Sequence, residues 1–143
     1  MSRIQNLRVA AEVAVALFFR LGLYAVLLLF LLQAVGGSVS YEFLAFTTMI
    51  VVLVHEALHI LGMELVKADH FESFHVLAIN YGAFDLKSYK ASVPLLLPYS
   101  ALFPLGYWLT LTGVGTYIAA GWAVILMHAI LLPIEAFSSK LSK

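Results

Sequence analysis

The chain has 143 residues, 63% of them hydrophobic and 11% charged, and a formal net charge of zero. A composition this apolar lies outside the range of soluble domains and points to one all-α, membrane-embedded domain of packed helices. With no basic run and no cysteine, nucleic-acid binding, disulfides, thiolate metal sites and cysteine nucleophiles are excluded.

Four runs are long enough to span a hydrocarbon core of about 30 Å, which takes about 20 residues. The first covers about 13–35, after an amphipathic lead-in where Ile4, Leu7 and Val9 oppose Arg3, Gln5, Arg8 and Glu12. It is too long for the core of a signal peptide and reads as a membrane helix. Arg20 and Glu12 lie eight apart on one face of it, spaced to pair with each other or to snorkel. The second run covers about 41–66. The third, about 91–111, carries Pro94, Pro98, Pro104 and Gly106, which predict a bent helix packed on protein or a cavity. The fourth covers about 116–137. Tyr99, Tyr107 and Trp108 suit interfacial belts.

The stretch 67–90 between the second and third runs is rich in β-formers. Ser73–Ile79 and Phe84–Tyr89, separated by the turn-like Asn80-Tyr81-Gly82-Ala83, predict a short β-hairpin. Apart from Arg20 within the first run, lysine and arginine fall before that run, in this stretch, and after the fourth run. The connections 36–40 and 112–115 hold none, so the positive-inside rule places both termini and the 67–90 loop in the cytoplasm. A multi-pass protein of this small size fits a prokaryotic cytoplasmic membrane.

The second run contains His55-Glu56-Ala57-Leu58-His59. On a helix, H-E-x-x-H sets two imidazoles one turn apart on one face with a carboxylate beside them, the arrangement of zinc peptidases. Each ionisable group at bilayer depth costs about 2.5–3.5 kcal/mol, so the three together need a compensating partner, and a divalent cation is one. Depth then selects the third ligand. His59 and His55 lie eight and twelve residues before Lys67; Glu135 and His128 lie five and twelve before Lys140. At about 1.5 Å per residue, Glu135 falls within a turn of the level of His59, and His128 is level with His55. Glu135 completes a His₂-carboxylate set, with Pro133 loosening the helix beside it; His128 is the other candidate ligand, or a hydrogen-bonding residue behind the site. Zn²⁺ is the expected metal and Glu56 the general base. Glu64, His70 and His75 read as surface residues.

The HExxH in an early membrane helix, the β-rich cytoplasmic stretch, the proline-bearing third run and the acidic residue after Pro133 resemble site-2-protease-type intramembrane metallopeptidases. Within them the chain is similar to a group of small zincin-like membrane peptidases. The resemblance covers about 41–137. It implies zinc ligation by His55, His59 and Glu135, catalysis by Glu56, and assistance to the oxyanion by His128. The chain departs from that pattern in having Glu rather than Asp at 135 and Ala136 where glycine often follows. The implied function is hydrolysis of a peptide bond within or next to the membrane. The implied partner is a membrane-associated peptide or protein, paired to an edge strand of the 74–87 segment. Two other readings stand beside it: a non-catalytic zincin-like subunit of a larger membrane complex, and a haem protein ligated by His128 with His55 or His59.

Overall fold

The computed structural model describes residues 3–36, 40–66, 73–75, 78–80 and 89–141. Among these residues the chain forms four helices and two three-residue strands: α1 (Arg3–Ala34), α2 (Tyr41–Val66), β1 (Ser73–His75), β2 (Ala78–Asn80), α3 (Tyr89–Thr110) and α4 (Gly115–Leu141). The amphipathic lead-in and the first apolar run are one continuous helix.

Local chemistry ends and starts these helices. Past the end of α1, Gly36 takes φ +69°, a conformation that glycine adopts without Cβ strain, and its N–H donates to the Gln33 carbonyl. Ser40 caps α2: its hydroxyl accepts from the Phe43 N–H at 3.3 Å and donates to Glu42 at 2.8 Å. The α3–α4 turn uses Gly113 at φ +73°, with the Thr112 hydroxyl donating to the Leu109 carbonyl at 2.8 Å.

α3 packs on both α2 and α4, and α1 packs on α2 and α4. The α3–α4 crossing is close because glycines meet there; a Cβ on Gly106 would lie 3.0 Å from the Gly121 carbonyl oxygen. Alanines 119, 120 and 123 of α4 are also buried. The core runs through Tyr24, Leu28 and Leu32 of α1, Tyr99 and Leu102 of α3, and Val124, Met127 and Leu131 of α4.

The distribution of polarity is inverted relative to a water-soluble bundle. Phe18, Val26, Phe30, Phe46 and Leu53 are exposed, whereas Arg20, His55, His59, His128 and Glu135 are buried. Ala14–Ala34, Tyr41–Val66 and Gly115–Ala136 are long and apolar enough to cross a membrane. α3 is not among these segments. Its three prolines, tyrosines and serines dilute a helix that is long enough but less apolar.

The expected hairpin is not supported. β1 pairs antiparallel with β2, Phe74 opposite Ile79, so the chain reverses inside the first β-rich run instead of at Asn80–Ala83. Closing over two residues costs less chain entropy than joining the more distant segments. Of the expected second strand, Tyr89 opens α3, and residues 84–88 lie outside the described residues. The strand pair lies against α1 and α4.

Candidate metal centre

His55 and His59 point from one face of α2 toward α4, where they meet Glu135. The His55 and His59 Nε2 atoms are 3.0 Å apart. Glu135 Oε1 lies 3.2 Å from His55 Nε2, and Glu135 Oε2 lies 3.3 Å from His59 Nε2. All three residues are buried, and together they form the one group of potential metal ligands among the described residues. Zn–N and Zn–O bonds of about 2.0–2.1 Å in a tetrahedron put neighbouring ligand atoms about 3.3 Å apart. The separations in the cluster have that size.

For neutral imidazoles, the hydrogen bonds behind the rings assign the tautomers. His59 Nδ1–H donates to the Pro94 carbonyl at 2.7 Å, leaving Nε2 as a bare lone pair. His128 Nδ1–H donates to the Val124 carbonyl at 2.6 Å, so His128 Nε2 is an acceptor. It faces His55 Nδ1 at 3.0 Å, which therefore carries the hydrogen and leaves His55 Nε2 bare as well. With neutral imidazoles, two nitrogen lone pairs and a carboxylate converge with no hydrogen between them. A cation between them, or a proton on one ring, relieves the repulsion of that arrangement.

The Pro94 carbonyl is available because of the spacing of prolines in α3. In a helix it would accept from the N–H four residues later, but that residue is Pro98, which has none. The orphaned acceptor is used to orient His59. Further constraint comes from small residues: Gly62, one turn beyond His59, packs directly on Pro94, where an added Cβ would lie 2.6 Å from the Pro94 Cα.

Glu135 is held by two further donors. The Tyr99 hydroxyl donates to Oε2 at 2.5 Å, and Arg20 Nη2 donates to Oε1 at 2.9 Å. Tyr99 also stands edge-on to His55 and His128, with ring centroids 5.7 and 5.6 Å away. Arg20 is 1% exposed, and its Nε lies 3.1 Å from Glu56 Oε1. That contact is an ion pair by distance without an aligned hydrogen bond, and neither Glu56 oxygen accepts a hydrogen bond from the described residues. The Glu56 side chain is 13% exposed, more than the other charged groups of the site, although both of its carboxylate oxygens are buried.

Several expectations are corrected by this geometry. His128 stands behind His55 and contacts its Nδ1, in the hydrogen-bonding position that is its alternative to ligation, and it lies outside the group of potential ligands. Its direct contact with His55 leaves no space for a porphyrin between those two rings. Arg20 does not snorkel, because the two carboxylates hold it in the core. Tyr99 is buried at the site rather than in an interfacial belt, unlike the exposed Tyr107 and Trp108. Glu64 is exposed as expected; His70 lies outside the described residues, and His75 sits in β1.

No family model, curated protein or solved structure matches the chain. The likeness to site-2-protease-type enzymes rests on its residues alone.

Proposed function

We propose that the chain is a membrane-embedded zinc metallopeptidase that hydrolyses a peptide bond within or next to the bilayer. The observation that carries the metal is the convergence of the His55 and His59 lone pairs on Glu135, with every proton directed away. His₂-carboxylate donor sets suit zinc, and the separations fit its tetrahedral radius. A zinc ion bound there supplies Lewis acidity that polarises a peptide carbonyl and acidifies water near neutral pH.

In this reading the residues of the chain divide the work. His55, His59 and Glu135 hold the metal; Pro94, His128 and Tyr99 keep them aimed. Glu56, whose oxygens accept no hydrogen bond from the described residues, takes a proton from the attacking water and returns it to the leaving amine. α3 crosses the bilayer as the fourth, less apolar span, sheltered by α2 and α4. Both termini and the 67–90 segment lie in the cytoplasm, as the lysine and arginine placement indicates. The substrate class is a membrane-associated peptide or protein.

The Arg20–Glu56 ion pair favours a second reading, because a carboxylate engaged by a buried guanidinium is part of a structural contact. In it the chain is a metal-holding, non-catalytic subunit of a membrane complex. Zinc-loaded protein in nanodiscs, assayed on quenched-fluorescence transmembrane peptides, separates the two. The peptidase reading predicts cleavage by wild type and none by Glu56→Gln, with equal metal in both. Cleavage that survives Glu56→Gln removes Glu56 as base; metal without cleavage leaves the subunit reading.

A further inference from the structure

The predicted ligands and base come from α2 and α4, yet the group that joins them comes from α1. Arg20 presents Nη2 to Glu135 at 2.9 Å and Nε to Glu56 at 3.1 Å, so one planar guanidinium touches a ligand and the residue beside the other ligands. We propose that Arg20 is a positioning residue of the metal centre. It fixes the pose in which Glu135 offers a lone pair to the cluster, and it holds Glu56 at the cluster's edge. The inference rests on the metal reading above.

The argument is one of donors and directions. Glu135 Oε1 takes the Arg20 N–H and Oε2 takes the Tyr99 O–H, and each oxygen also faces an imidazole nitrogen, Oε1 that of His55 and Oε2 that of His59. Remove Arg20, and Oε1 loses the bond that fixes the rotation of the carboxylate. The guanidinium has a rigid fork, so it bridges two carboxylates at once; an ammonium is a point charge that cannot hold both in register. α1 also has no other reason to bury a cation. Arg20, Tyr24, Leu28 and Leu32 form one stripe at four-residue spacing, and only its first member is charged.

A charge-balance explanation predicts something different. If Arg20 merely neutralises buried carboxylates, deleting it together with the charge of Glu56 should restore the site. If it positions Glu135, the double change should not. Cobalt(II) serves as the probe, because its visible bands report ligand geometry as well as occupancy. Wild type, Arg20→Lys, Arg20→Met, Glu56→Gln and the Arg20→Met/Glu56→Gln pair are titrated with cobalt(II) in nanodiscs, with helicity and melting followed in parallel.

Loss of a partner that orients a metal ligand typically weakens binding about 10–100-fold. That loss, with altered visible bands, is expected for Arg20→Lys and for the double variant, while Glu56→Gln binds as wild type does. Arg20→Lys keeps the charge and guards against a Met variant that fails to fold. Wild-type affinity and spectrum in Arg20→Lys, or in the double variant, overturn the inference alone. A wild-type chain that binds no cobalt or zinc overturns the metal reading and this inference with it.

Discussion

Gly62→Ala tests whether the orphaned Pro94 carbonyl sets the metal ligand, because it acts on that contact without touching any ligand. The added Cβ would lie 2.6 Å from the Pro94 Cα and 3.1 Å from its nitrogen. Carbon atoms pack at about 3.5–4.0 Å, so α2 and α3 must part locally by about 1 Å. The His59–Pro94 hydrogen bond, 2.7 Å long, would stretch to about 3.7 Å, beyond hydrogen-bonding range. Overpacking of this kind costs about 1–3 kcal/mol of stability. Releasing the His59 ring should cost about 10–100-fold in metal affinity. Zinc affinity is read by competition with a chromophoric chelator, and stability by thermal melting. Gly22→Ala is the control: nothing lies within 4 Å of a Cβ there, and alanine improves helix propensity by about 1 kcal/mol. A folded Gly62→Ala protein with wild-type zinc affinity refutes the reasoning.

Two other substitutions probe the same support. Pro98→Ala restores an N–H that competes for the Pro94 carbonyl; melting should rise, since proline costs about 3 kcal/mol in a helix interior. Zinc affinity should fall less than in Gly62→Ala, because a carbonyl has two lone pairs and still serves His59; the same titration and melts check both. His128→Ala removes the acceptor that holds the His55 tautomer and should weaken zinc about 10–100-fold while leaving the ligand set intact, which chelator competition measures.

Much of the site was legible because membrane depth makes ionisable residues conspicuous. Counting residues from the flanking lysines brings Glu135 to the level of His59, and in the structure these two groups meet. The same count, carried to α1, would have found Arg20: it lies twelve residues after Arg8, as His55 lies twelve before Lys67. Tyr99, nine residues after Lys90, falls between the levels of His59 and His55 by the same measure. Residue type alone points the arginine to pairing with Glu12 or to snorkelling, and the tyrosine to the interface. The level of His128 was legible but not its direction. One turn of helix separates a ligand from a residue behind a ligand, and spacing alone does not say which way the imidazole faces. The proline pattern of α3 announced orphaned carbonyls, but which one found a donor depended on the Gly62–Pro94 contact. The hairpin failed for a different reason: short β-rich runs do not specify register, and the nearest closure won.

The central claim is that two bare histidine nitrogens and a carboxylate exist to hold a cation. Elemental analysis of the purified, zinc-reconstituted chain tests it most directly, with His59→Ala and Glu135→Ala alongside. One zinc per wild-type chain, lost in both variants, is the predicted result. Folded wild-type protein that retains no metal after reconstitution contradicts it.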